Sequence, residues 1–220
     1  MNVRTFASKL VRRALWFTPF RRWMFYRYLY SFRPDQLCFL LSCITETKAI
    51  PGAIVEVGCA QGLTTVFLNK HLQFAGIVKQ YVCIDTFGGF VEQDISLEVS
   101  RGKNAQALRD ALHVNSLRCF RYTLESNGCS HVVCVQTDVK RYSFQEPVSF
   151  CLCDVDLYAP TLNTLRNVWP VLSPGGIVVV DDCRDKGIFD GAYQAYREFT
   201  RDVGLEATVV LDKLGVIRKV

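Results

Sequence analysis

Three aspartates are the residues best placed to do chemistry. Asp154 stands in Cys151-Leu-Cys-Asp-Val-Asp-Leu-Tyr158, and Asp181 and Asp182 close Ser173-Pro-Gly-Gly-Ile-Val-Val-Val-Asp-Asp182. Carboxylates brought together repel one another unless a cation lies among them, and hard oxygen donors suit Mg²⁺ or a similar divalent ion. The competing reading is that these aspartates cap helices and flank turns, as Asp commonly does. An adjacent pair directly after a buried strand favours the metal.

The elements around them bring the three together. Val148, Phe150 and Leu152 precede the first aspartate and the run 177–180 precedes the pair. Short continuous apolar runs of this kind read as parallel strands buried on both faces. Leu162, Leu165, Val168, Trp169 and Leu172 lie between them at helical spacing. A right-handed strand–helix–strand crossover then puts all three carboxylates on one edge of the sheet, the edge where open α/β sheets bind ligands.

Upstream, 34–48 reads as a helix with Leu37, Leu40, Leu41 and Ile44 on one face, and Pro51-Gly52 breaks the chain. Ala53-Ile-Val-Glu-Val-Gly-Cys-Ala-Gln-Gly62 then reads as strand, glycine turn and helix start, with the helix over 63–72. Gly58 and Gly62 allow close approach of a ligand to backbone, and a helix N-terminus offers free N–H groups. A dinucleotide fingerprint needs glycine at the position of Glu56, so an NAD-dependent oxidoreductase is disfavoured. A second strand over 78–84 ends in Asp85-Thr-Phe-Gly-Gly89, and an acid there suits ribose hydroxyls, with a turn cap as the alternative. The segment 91–130 is polar and mixed, 105–112 being its clearest helix, and its length suggests a lid over the site. A third strand over 132–136 has Thr137 and Asp138 at its tip, where adenine is expected. The fourth and fifth strands are 150–153 and 177–180. Ile188, Ala192, Ala195, Phe199 and Val203 mark a helix ended by Gly204. The runs 207–211 and 216–220 form a terminal hairpin across Asp212-Lys-Leu-Gly215. The expected fold is α/β, a Rossmann-like three-layer αβα sandwich on a seven-stranded, mostly parallel sheet with an antiparallel C-terminal hairpin.

The chain has 220 residues, half of them hydrophobic, which suits one domain with a full core. Its net charge of +5 is unevenly spread. Residues 1–33 hold eight of the 26 Lys/Arg and none of the 21 Asp/Glu, leaving 18 basic against 21 acidic residues, net −3, in 34–220. The same head carries ten of the 27 aromatics. A basic aromatic arm of this kind suits the surface of an anionic membrane, or packing on the domain or a dimer partner. An Arg-rich organellar presequence is a further reading. Nucleic acid is not expected, because the acidic remainder offers no basic face to extend the contact. Cys83, Cys134, Cys151 and Cys153 lie inside apolar runs, no Cys-x-x-Cys occurs, and His71, His113 and His131 show no zinc-finger spacing with them. The ten cysteines therefore read as thiols of a reducing, cytoplasmic compartment, and no run is long enough to span a membrane.

The Glu-x-Gly-x-x-x-Gly loop at 56–62 and Asp85 after strand two resemble class I S-adenosylmethionine-dependent methyltransferases. Asp85-Thr-Phe-Gly-Gly89, Asp154-Val-Asp-Leu-Tyr158, Leu172-Ser-Pro-Gly-Gly176 and Asp181-Asp182 further resemble the macrocin O-methyltransferase family, over roughly 50–220. That resemblance implies a methyltransferase domain over 34–220, S-adenosylmethionine as cofactor, a divalent metal and methylation of a sugar hydroxyl. Asp154, Asp181 and Asp182 would bind the metal. Glu56, Gly58 and Gly62 would form the methionine side of the cofactor pocket, Glu56 ordering the loop or binding the amino end. Asp85 would hold ribose with Thr86 and Phe87 beside it, and Asp138 would meet adenine. Catechol methyltransferases use a lysine where this chain has Leu157, so phenolic acceptors are disfavoured and Asp156 or Asp182 would accept the proton. The family often has an acid at Gly88 and tyrosine at Cys183. The basic head tilts the acceptor toward a lipid-linked glycan.

Overall fold

The computed structural model describes residues 11, 13–19, 28–111 and 115–220. The chain divides into two units, Met1–Ser31 and Phe32–Val220. In the first, a helical turn ends where the amide and hydroxyl of Thr18 both donate to the Leu15 carbonyl, at 3.0 and 2.7 Å. Most of the basic aromatic head lies outside the described residues, and its expected membrane contact with it. Among the described residues no helix is long and apolar enough to cross a membrane.

The second unit carries, in order, α1 (Pro34–Glu46), β1 (Ala53–Val57), α2 (Leu63–Ala75), β2 (Tyr81–Asp85), α3 (Glu92–Ser100), α4 (Ala105–Asp110) and α5 (Leu117–Ser126). There follow β3 (Val133–Gln136), β4 (Val148–Cys153), α6 (Tyr158–Val171), β5 (Leu172–Val180), α7 (Asp190–Asp202), β6 (Thr208–Val210) and β7 (Leu214–Arg218). The sheet order is β3-β2-β1-β4-β5-β7-β6. Strands β1 to β5 pair in parallel, and β7 runs against both β5 and β6. Every residue of β1 and β4 is buried, as strands covered by helices on both faces require. One core joins Val55, Cys151, Val178 and Val180 of the sheet to Leu165 of α6 and Phe199 of α7.

Several boundaries differ from the sequence expectation, each for a physical reason. The fifth strand starts at Leu172 because Ser173-Pro-Gly-Gly176 stays in the sheet as an irregular stretch. There the Gly175 amide donates to the Lys219 carbonyl at 2.7 Å, while the Lys219 amide donates back to Gly176 at 3.0 Å. The hairpin turns at Leu211–Asp212–Lys213 rather than around Leu214, since Leu211 (φ 50°) and Asp212 (φ 71°) take left-handed conformations. Among its described residues, segment 91–130 holds α4 and two further helices: Leu117, Phe120 and Leu124 form the apolar stripe of α5, and the Ser116 hydroxyl caps it by accepting from the Cys119 amide at 3.2 Å.

The two central strands end in close contact at Gly58. The Asp154 amide donates to the Val57 carbonyl at 2.8 Å, and a Cβ on Gly58 would come within 1.8 Å of the Asp154 carbonyl oxygen. Gly58 is also left-handed, at φ 85°. Gly58→Ala is therefore expected to cost at least about 3 kcal/mol of stability. Urea unfolding would read this directly, and an unchanged midpoint would mean the two strand ends have room to part.

Candidate active site

A cleft opens at the C-terminal edge of the parallel strands. Its floor is the turn at Gly58, the tip of β2 at Asp85 and Thr86, and the tip of β3 at Thr137 and Asp138. Asp154, Asp156 and Leu157 after β4 form the far wall. Phe90, Val91 and Asp94 at the start of α3, with Asn115, supply the side that the sequence assigns to a lid.

Asp85 clasps the glycine turn. One carboxylate oxygen accepts from the amides of Cys59 and Ala60, at 2.7 and 3.0 Å. The other accepts from the Phe87 amide at 2.6 Å, and Thr86 donates its hydroxyl to the Gly89 carbonyl. The acid at the tip of β2 thus orders two loops of the cleft while still lining it. Asp138 caps the short 3₁₀ turn Val139–Arg141, accepting from the Lys140 amide at 3.0 Å. Lys140 reaches on to Asp94, whose carboxyl burial pushes above the ordinary range. Asp94 had no signal in the sequence, because α3 was not legible as an element, and Asn115 lies in the loop before α5.

Three expected cofactor residues stand off the cleft. Glu56 is 1% exposed and turned into the interior between β1, β2 and α2. The Tyr81 hydroxyl donates to it at 2.6 Å, and Thr65 is a further partner. Gly62 is the left-handed N-cap of α2, and a Cβ there would meet the Phe120 ring at 3.0 Å. The Phe87 ring is buried against Phe120, centroids 4.8 Å apart. Both shape the floor of the cleft from beneath.

Four carboxylates gather at the ends of β4 and β5. Asp154 and Asp156 are half-buried, while Asp181 and Asp182 are 4% and 6% exposed. Asp156 (φ 64°) and Asp182 (φ 55°) both take the strained left-handed conformation, which a surrounding structure must enforce. Enclosure, then the charge of Asp181, raises Asp154 well above the ordinary carboxylate range; enclosure, then Asp182, does the same to Asp156. Asp181 is also raised, by burial first, with Lys213 opposing. Lys213 is the residue that the sequence reading missed. Its ammonium lies 2.6 Å from Asp181 Oδ2 and 3.8 Å from Asp182 Oδ1. The signal was present, since a final strand that runs antiparallel must begin at this edge, and its turn must therefore arrive beside the aspartates. Cys183 does not face the cleft: it is buried, and Gly215 leaves space for its sulfur, which a Cβ there would meet at 2.6 Å.

The chemistry of the donors suits a divalent ion. All are hard oxygens, and Asp181 Oδ1 is buried without a hydrogen-bond partner. The three expected ligands are not drawn as tightly together as Glu56, Cys59 and Cys83, the one set of three among the described residues with ligand atoms all within 4.8 Å. That set is buried in the interior beneath the turn, where burial raises both thiols and keeps them protonated.

The sheet order, the turn at Gly58 and the acids at the strand tips define the class I methyltransferase fold. The structure of the O-methyltransferase NovP overlays with a TM-score of 0.73 at 20% identity, covering 84% of this chain and 79% of that one. Residues 32–219 match the macrocin-O-methyltransferase (TylF) family, and the chain belongs to that family. A relative from Streptomyces olivaceus, 8-demethyl-8-(2,3-dimethoxy-alpha-L-rhamnosyl)-tetracenomycin-C 4'-O-methyltransferase, is 27% identical over 164 residues, 70% of this chain and 62% of that protein. Mycinamicin III 3''-O-methyltransferase from Micromonospora griseorubida is 23% identical over 176 residues, 76% of this chain and 68% of that one. The match thus spans about two thirds of the length of these relatives.

Burial raises Glu56 to about 7, above its ordinary 4.5. The folded chain holds this proton more tightly than the unfolded chain, so stability falls as pH rises from about 4.5 to about 7 and levels off beyond. Glu56→Gln removes that fall. It is expected to be more stable than wild type at pH 8 by on the order of 2 kcal/mol, and about equal at pH 4. Urea titrations at the two pH values test this, and an equal loss at both would contradict it.

Proposed function

We propose that this chain is an S-adenosylmethionine-dependent O-methyltransferase whose acceptor is a hydroxyl on a sugar of a glycosylated molecule. The observation that carries the reading is that one cleft is bounded by the Gly58 turn, Asp85 and Asp138 on one side and by Asp154 and Asp156 on the other. A cofactor laid along the strand tips would present its methyl group toward the carboxylates. Family membership supports the reaction, and the curated relatives, both named for O-methylation and one for a rhamnosyl-bearing substrate, support the acceptor class.

In this reading Asp138 and Thr137 face the adenine and Asp85 the ribose. Asp85 does so with the carboxylate that already orders the turn, so cofactor binding and loop order depend on one side chain. The reaction moves a methyl group from sulfonium to oxygen: the carbon–sulfur bond breaks, its electron pair stays on sulfur, and a new carbon–oxygen bond forms. The hydroxyl proton goes to Asp156. Asp156 accepts in its ionised form, which the Lys213 ammonium favours against the rise that enclosure and Asp182 impose, and in that form it is a stronger base than an exposed carboxylate. Much of the rate would come from alignment, since strand ends locked at Gly58 and Asp154 fix the distance between cofactor and acceptor sites. A divalent ion, if bound, would be held by Asp154, Asp181 and Asp182, and would polarise the acceptor hydroxyl as a Lewis acid.

Calorimetry with S-adenosylhomocysteine tests the reading first. Wild type should bind in the micromolar range, corresponding to about −8 kcal/mol. Asp85→Ala should weaken binding about tenfold or more through loss of the turn's acceptor. A wild type that binds none of it sinks the proposal. Asp156→Asn should retain cofactor affinity while losing at least about a hundredfold in methyl transfer to glycosylated acceptors. Undiminished transfer would remove Asp156 from the mechanism.

A further inference from the structure

We propose that Lys213 is a resident counter-cation of the Asp181–Asp182 pair and limits how tightly a divalent ion binds there. The inference rests on the methyltransferase reading only for the purpose of the site.

The fold goes to some length to deliver this ammonium. Leu211 and Asp212 are two consecutive left-handed residues without the freedom of glycine. The strained turn is clasped from three directions. The Arg33 guanidinium donates to the Asp212 carboxylate at 2.7 Å, and the Gln36 side-chain amide donates to the Leu211 carbonyl at 2.9 Å. The Cys183 amide, next to the aspartate pair, donates to the Lys213 carbonyl at 2.8 Å. With its backbone tied down so, the Lys213 side chain runs inward, 11% exposed, with its nitrogen 4.8 Å from the centre of the buried Phe32 ring. A flexible surface lysine has no such constraints.

Four carboxyl groups gather around one ammonium, and the only other cation at the pair among the described residues, Arg184, lies 3.4 Å from Asp182 with its side chain 58% exposed. Lys213 takes Asp181 Oδ2, and Asp181 Oδ1 stays buried without a partner. The cluster therefore keeps donors for a second cation, which must settle beside a fixed positive charge. Coulomb repulsion across a few ångströms of poorly solvated protein weakens that second binding event. Lys213 thus keeps the cluster foldable in the absence of metal at the expense of metal affinity.

The test is Mn²⁺ binding to the full chain, followed by titration calorimetry and by the free-ion electron paramagnetic resonance signal. Lys213→Gln, which retains a donor to Asp181 without the charge, is expected to bind Mn²⁺ on the order of tenfold more tightly than wild type. Lys213→Met should behave likewise, and Lys213→Arg should stay near wild type. If the neutral variants are unfolded alone but regain a cooperative melting transition with Mn²⁺, the counter-cation role is equally supported. Unchanged or weaker Mn²⁺ binding in Lys213→Gln overturns it, as does unfolding that Mn²⁺ does not reverse, or the absence of binding in every form. Failure of the methyltransferase reading registers separately, as a wild type that does not bind S-adenosylhomocysteine, and leaves the Mn²⁺ comparison intact.

Discussion

Like charge buried beside like charge is the condition to which the rest of this molecule answers. Asp154, Asp156, Asp181 and Asp182 end two neighbouring parallel strands, and nothing in a parallel sheet neutralises them. Separated ions in a low-dielectric interior cost several kcal/mol each unless they are paired or protonated. The structure responds in both ways. Enclosure raises Asp154, Asp156 and Asp181, and an ammonium is brought in by the turn that opens the neighbouring strand β7. The reversal of β7 makes that delivery possible: a seventh strand parallel to β5 would begin at the opposite edge, and its leading turn would lie a full strand length from the aspartates.

The other half of the cleft depends on close approach more than on charge. Gly58 lets the ends of β1 and β4 meet, and Asp85 converts three loose backbone amides into one ordered surface. Beneath it, Phe87, Phe120 and the missing side chain of Gly62 fill space that a larger residue would take from the turn. A cofactor and an acceptor bound in this cleft would be positioned by the same few backbone contacts. The fold alone does not choose the acceptor, since related sheets serve many substrates.

Much of this was legible from the residues. Strands of continuous Val, Ile, Leu and Cys declared a parallel sheet, and aspartates at their ends marked its binding edge. Where reading failed, the cause was local. Helix α3 (Glu92–Ser100) is polar on most sides and buries only Asp94, Ile95 and Glu98, so its periodicity carries little apolar signal. Ser173-Pro-Gly-Gly176 looks like a loop by composition, but pairing with Lys219 keeps it in the sheet. Glu56 lies in a strand buried on both faces, where either direction is interior, and only the partner Tyr81 reveals which one it takes. Lys213 escaped notice because a lysine in a hairpin turn is ordinarily solvent-facing. Topology, more than composition, makes this one part of the site.

The position of Lys213 along the chain gives the hairpin a significance beyond geometry. During synthesis the last of the four aspartates, Asp182, leaves the ribosome about thirty residues ahead of the ammonium that meets it, and Asp154 nearly sixty ahead. For that interval β4 and β5 can pair, yet their ends carry unmatched negative charge and β5 presents an open edge where β7 will lie. One antiparallel hairpin both covers that edge and supplies the counter-charge, so sheet pairing and completion of the site depend on the same element.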